Sequence, residues 1–246
     1  MLQADPAWLV LEYTRRMMGF LLLHPAPKRI AMIGLGGGSL AKYCAWKLPD
    51  ADFTAIEISP QVIELRETFG IPPDGPRFRI IRGDGAEFVR REGEPLDVLL
   101  VDGFDRGGQP DDLCSAAFYD YCRDALAAGG VLAVNSYGDG PGDDVRLDRL
   151  RDAFDGRVVF VDVDGSENRV MFAGTSPSFP PAFAELVERL RALEASHPVG
   201  LDVTLRKILQ YAEPRNPGRR RRLPYRLRAE SALAGPPMRR FAPLIE

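Results

Sequence analysis

The chain has 246 residues, of which 45% are hydrophobic and 27% charged, with a net charge of −3; this fits one good-sized globular domain with or without appendages. The longest apolar run, 17–23, is broken by Gly19 and follows Arg15 and Arg16. It falls far short of the roughly 18 residues that a membrane crossing needs. A charged segment leading into an apolar one is not found at the N-terminus, so neither a signal peptide nor a membrane partner is expected.

Cys44, Cys114 and Cys122 are odd in number and scattered, which argues for buried thiols in a reducing cytoplasm rather than a disulfide framework. His24 and His197 are too few for a His-rich metal site or a Ser-His-Asp triad. No metal is expected, and acid–base work falls to carboxylates, tyrosines or the ligand itself.

In chain order, 7–23 repeats apolar positions at three and four and reads as a helix, stopped by "HPAPK". Short apolar strands at 29–34, 52–58, 77–83, 96–103 and 129–137 then alternate with helices at 39–48, 59–69, 84–92 and 112–127. That rhythm predicts an α/β fold: a mostly parallel sheet with helices on both faces. A helix at 144–154 comes next, then strands at 157–163 and 168–174 close enough to form an antiparallel edge pair, then helices at 181–196 and 201–212. From Glu213 the period is lost, and residues 215–246 carry nine arginines against Glu230 and Glu246. The expected organisation is an N-terminal helix (1–25), a ligand-binding domain (26–212) and a basic, flexible tail (213–246). The tail is the one segment whose charge would attract nucleic acid, which is otherwise not an expected partner.

The stretch "AMIGLGGGSL" places Gly34, Gly36, Gly37 and Gly38 between the first strand and a helix. Ligands of open parallel sheets bind beyond the carboxyl ends of the strands, next to the first. Glycines there allow positive φ and close approach, and the helix start offers free N–H groups. Glu57 ends the second strand 19 residues after Gly38, where an acid accepts from ribose hydroxyls. A G-x-G-x-x-G form would need glycine at position 39, which is Ser, so an adenosyl sulfonium fits better than a dinucleotide. Asp84 and Gly85 open the helix after the third strand. Asp84 can cap that helix and can also accept from an adenine amino group.

After the fourth strand, "VDGFDRGGQPDDL" sets Asp102 and Asp105 above the switch point. Paired carboxylates there can anchor a cationic substrate and take a proton from an amine, which must lose one before its nitrogen can attack. Asp111 and Asp112 suit the start of the next helix.

"HPAPKRIAMIGLGGGSL", "AIEISPQVIEL", "IIRGDGAEFV" and "DVLLVDGFDRGGQP…FYDYCRDALAAGGVLAVN" together resemble the polyamine aminopropyltransferases, the spermidine synthase family, in order over about 12–137. The resemblance implies a Rossmann-like class I methyltransferase-type fold and transfer of the aminopropyl group of decarboxylated S-adenosylmethionine. The acceptor would be a small-molecule amine such as putrescine, methylthioadenosine would leave, and no tightly bound cofactor would be needed. Carried over, Glu57 would hold the ribose, Asp84 with Gly85 the adenine side, and the glycines the rest of the nucleoside. Asp102 would deprotonate the amine, Asp105 would hold it, Tyr13 would line its site, and Gln109 and Pro110 would lie in the closing loop. A homodimer is also implied.

Three positions depart from the family. Gly37 stands where an Asp helps bind the aminopropyl amine, Arg15 replaces an acid beside a cationic substrate, and most of the family's N-terminal β-domain is expected to be absent before the first helix. These leave two alternatives open: a methyltransferase using S-adenosylmethionine, and a non-catalytic nucleoside-binding relic.

Overall fold

The computed structural model describes residues 5, 7–105, 107–138 and 141–212; the reading of 213–246 as a basic tail lies outside them. In chain order the elements are α1 (Glu12–Met17), α2 (Phe20–Leu23), β1 (Arg29–Ile33), α3 (Ser39–Lys47), β2 (Asp52–Glu57), α4 (Pro60–Glu64), β3 (Phe78–Arg82), α5 (Gly85–Arg90) and β4 (Leu96–Val101). A 3-10 turn (Asp111–Leu113) leads to α6 (Ala116–Asp124), β5 (Leu126–Tyr137), α7 (Pro141–Ala153), β6 (Val158–Asp162), β7 (Asn168–Gly174), α8 (Phe183–Leu193) and α9 (Leu201–Ala212).

The described strands make one seven-stranded sheet in the order β3-β2-β1-β4-β5-β7-β6. β1 to β5 run parallel, with Ile33 level with Ile56 on one side and Val101 on the other. β7 pairs antiparallel with β5 and β6, setting Asn135 opposite Val170 and Tyr137 opposite Asn168. The expected edge pair therefore forms.

Both faces of the sheet are covered, which is why β1 and β4 read as unbroken apolar runs. Ile30, Met32, Val98, Leu100, Val131 and Ala133 pack with Met17, Leu40, Leu201 and Ile208 in one core. Ala31, Ile33, Leu99, Val101, Leu132 and Val134 pack with Val89, Phe118 and Leu150 in the other. Each such leucine taken from water contributes about 1.5–3 kcal/mol. Among the described residues no helix is long and apolar enough to cross a membrane.

Helix ends shift by a few residues at several places, and three of the differences have a visible cause. The helix expected over 7–23 is two short ones, α1 and α2, parted at Met18 and Gly19. A Cβ at Gly19 would lie 2.5 Å from Thr204 Cγ2 and 2.8 Å from the Arg16 carbonyl oxygen, so the chain turns where α9 presses in. Arg16 is buried in the same contact and donates to the Gly200 carbonyl (2.9 Å) and Thr204 Oγ1 (2.7 Å). α4 ends at Glu64, short of 69, because the next residues are held as turns: Lys42 Nζ donates to the Phe69 carbonyl at 2.7 Å and Arg66 to that of Pro72. The helix expected over 112–127 starts at Ala116, where Ser115 Oγ accepts from Phe118 N, and ends before Leu126, already part of β5.

Candidate functional site

β1 sits where the sheet reverses its winding, between β2 and β4, and the glycine turn leaves its carboxyl end. Gly34, Gly36 and Gly38 have φ of 88°, 51° and 68°, while Gly37 lies outside the positive region. The first is needed for contact as well: a Cβ at Gly34 would sit 2.4 Å from the Asp102 carbonyl oxygen. At Gly38 it would meet Ile71 Cγ1 at 2.4 Å. Above Gly36 nothing lies within 4 Å, so the turn is packed on its inner side and open on the outer.

Glu57 is buried at the end of β2 and clamps this turn. Its Oε2 accepts from Leu35 N at 2.9 Å and its Oε1 from Ser59 N at 2.8 Å. Each oxygen keeps a second lone pair, so these bonds leave room for ribose hydroxyls. Asp84 caps α5 as expected, accepting from Ala86 N (2.7 Å) and Glu87 N (3.1 Å), both on Oδ1. Gly85 packs on the tip of β1, where an added Cβ would lie 2.2 Å from Ile33 Cγ2.

Asp102 continues the alternation of Val98 and Leu100 and so faces the core side on which α1 lies. Tyr13 of α1 donates from its phenol to Asp102 Oδ2 at 3.2 Å. Asn135, at the end of β5, donates from Nδ2 to Oδ1 at 2.8 Å. Burial pushes the Asp102 carboxyl up to about 6, against the opposing pull of the Asn135 and Tyr13 hydrogen bonds. The Tyr13 phenol is raised by its own burial, then by the Asp102 charge and hydrogen bond.

Asp105 stands apart from this cluster. It is exposed on a tight turn in which Asp105 N donates to the Gly108 carbonyl (2.8 Å) and Gly107 N donates to Asp105 Oδ1 (2.6 Å). Gln109, just beyond, is buried; its Nε2 reaches the Leu113 carbonyl only at 3.5 Å, and its Oε1 has no partner among the described residues. Such an acceptor asks for a donor. Arg15 does not face the cluster as expected. Two residues after Tyr13 it lies on the other side of α1, donating to the Leu9 carbonyl (2.7 Å) and Glu12 (3.1 Å), with its guanidinium 5.5 Å from the Trp8 ring. Its charge is met there by the Glu12 carboxylate.

Sequence reasoning missed Asn135 and Asn168. Asn135 is buried in the otherwise apolar run "VLAVNSY", and its Oδ1 accepts from Asn168 Nδ2 of β7 at 3.0 Å. A polar residue ending a core strand beside the strand of Asp102 was the available signal. Cys44, Cys114 and Cys122 are all free and buried. Among the described residues no group of three or more His, Cys, Asp or Glu comes together as a metal site.

Strand order, the antiparallel edge and a glycine turn at the winding reversal define the Rossmann-like class I methyltransferase-type fold. Human methyltransferase-like protein 13 in complex with SAH shares it (TM-score 0.70, 23% identity, 76% of this chain and 93% of that one). So does a spermidine synthase in complex with the transition state analogue AdoDATO (0.66, 22%, 82% and 72%). Residues 11–138 match the spermine/spermidine synthase domain. A polyamine aminopropyltransferase of Neisseria meningitidis is 38% identical over 199 residues, 80% of this chain and 75% of that one. One from Chromobacterium violaceum is 42% identical over 156 residues, 63% and 60%. The chain belongs to the spermine/spermidine synthase family of transferases.

Proposed function

We propose that the chain transfers an aminopropyl group from decarboxylated S-adenosylmethionine to a small amine such as putrescine, releasing methylthioadenosine. The observation that carries this is the Tyr13–Asp102–Asn135 cluster against Gly34: one buried carboxylate beside the nucleoside turn. Glu57 and Asp84 hold the ribose and adenine sides, Gly34, Gly36, Gly37, Gly38 and Gly85 form the close wall, and Asp105 and Gln109 hold the amine from the loop above. The carboxyl of Asp102, raised to about 6, is a stronger base than an ordinary carboxylate yet is ionised at neutral pH. It takes one proton from the ammonium, whose N–H electron pair then attacks the carbon next to the sulfonium. The C–S bond breaks with its electrons onto sulfur, and the sulfonium leaves as a neutral thioether.

The catalytic unit in this reading is 26–212, with the helices of 1–25 supplying Tyr13, and it works in the cytoplasm, as a homodimer in keeping with the resemblance. The test is methylthioadenosine release from decarboxylated S-adenosylmethionine with a panel of diamines. No release above an Asp102→Asn control overturns the reading. The second reading, methyl transfer from S-adenosylmethionine, draws on Gly37, which offers no anion to an aminopropyl amine. Calorimetric preference for S-adenosylmethionine over its decarboxylated form would favour it.

A further inference from the structure

The side-chain hydrogen bonds between β7 and Asp102 all run one way, toward a carboxylate that only accepts when ionised. A main-chain N–H can only donate, and Asn168 N donates to Ser166 Oγ at 3.1 Å. The Ser166 hydroxyl in turn donates to Asn168 Oδ1. That makes Oδ1 the acceptor end of the Asn168 amide and turns its Nδ2 toward Asn135 Oδ1, 3.0 Å away. The Asn135 amide is oriented in turn, so Nδ2 faces Asp102 Oδ1 at 2.8 Å. Side-chain amides are nearly symmetric in shape, and a chain of fixed donors is what selects one orientation over the other.

Asp102 thus meets two unlike partners. Asn135 Nδ2 can only donate, so Oδ1 is held as an acceptor. The Tyr13 hydroxyl, 3.2 Å from Oδ2, can donate to a carboxylate or accept from a carboxylic acid. Tyr13 is the one titratable group among the described residues that hydrogen-bonds to Asp102, and Asn135 and Gly34 on the neighbouring strands are neutral.

We propose that Asn135 and Asn168 are positioning residues, holding Asp102 Oδ1 as a permanent acceptor and so directing the proton taken from the amine to Oδ2, beside Tyr13. The inference rests on the transferase reading only for the source of that proton. The ammonium N–H bond breaks, its electron pair stays on nitrogen, and an Oδ2–H bond forms; solvent later takes the proton. Asn168 lies outside 11–138, so the edge strand becomes part of the machinery rather than a flank to it.

The test uses the full chain, with carbon-13 in its aspartate carboxyls and the Asp102 signal identified by its loss in Asp102→Asn. In Asn168→Asp a carboxylate replaces the donor facing Asn135 Oδ1. That carboxylate competes with Asp102 for the Asn135 Nδ2 and leaves Asn135 Oδ1 without its donor, so the amide is no longer held with Nδ2 on Asp102 alone. The expected result is an Asp102 titration midpoint moved upward, by the lost donor and by the charge added at half-exposed position 168 together. Asn168→Ala, which frees the amide without adding charge, moves it upward by less. In turnover, kcat/KM near pH 6 falls about tenfold in Asn168→Asp and recovers at high pH, with KM for the nucleoside unchanged.

A midpoint left at the wild-type position by both variants overturns the proposal. Should either fail to fold, Ser166→Ala at an exposed position decides the matter by the same midpoint. A wild-type chain that transfers nothing counts against the transferase reading alone, because the carboxyl titration is read without substrate.

Discussion

Glu57 Oε2 accepts the main-chain N–H of Leu35 at 2.9 Å, so the residue proposed to hold a ribose is also the clasp of the glycine turn. Its other oxygen accepts from Ser59 N. A glutamine has one carbonyl oxygen for these two donors and would set an NH2 against the other. Glu57→Gln should therefore lose about 1–3 kcal/mol of stability along with nucleoside affinity. Denaturant unfolding without ligand separates the two effects; an unchanged midpoint would show that the turn does not depend on Glu57.

Asp102→Asn should abolish transfer and stabilise the fold. The carboxyl titrates near 6 in the folded chain against an ordinary 3.8, so folding disfavours its charged form. Stability then falls as pH rises from about 3.8 to about 6 and stays lowered above that. Asparagine keeps both contacts, accepting from Asn135 and donating to the Tyr13 oxygen. A gain of about 1–3 kcal/mol is expected at pH 8, shrinking toward zero near pH 4. Equal unfolding midpoints at pH 8 would contradict it.

Gly37 is the glycine of the turn outside the positive-φ region, so its backbone conformation does not itself demand glycine. Gly37→Asp should fold normally and shift preference toward decarboxylated S-adenosylmethionine by about tenfold, about 1.4 kcal/mol, since an added carboxylate attracts an amine and repels another carboxylate. Calorimetry with both forms measures the ratio; no change would place the ligand's amine elsewhere.

Gly38→Ala should do the opposite kind of damage. A left-handed φ of 68° costs an L-residue about 1–2 kcal/mol. The new Cβ would also overlap Ile71 at 2.4 Å. A total loss of about 2–4 kcal/mol is expected in thermal or denaturant unfolding. A smaller loss would mean that Ile71 gives way.

The sheet was readable in the sequence because burial on both faces writes itself as short apolar runs, and their alternation with helices dictates the winding. The break at Gly19 was not readable, because it answers to Thr204, far along the chain. At the site, Glu57, Asp84 and Asp102 stood out because each ends or follows a strand next to the glycine turn. The Asp84 cap on α5 was legible as well, but the Glu57 clamp on Leu35 N appears only once the backbone donors are in place. Asp105 looked like a twin of Asp102 by spacing, yet one ends a buried strand and the other shapes an exposed turn. Asn168 was hidden altogether, since nothing local marks a strand residue that serves an aspartate on a different strand.

The hydrogen bond between Asn135 and Asn168 also orders events in time. A chain leaving the ribosome can bring Tyr13 to Asp102 once β4 has paired with β1, but the partner that orients Asn135 arrives only with β7. On the transferase reading, the Asp102 centre is therefore complete only once β7 has been made, and a chain ending at β5 leaves the Asn135 amide without the Asn168 partner that orients it.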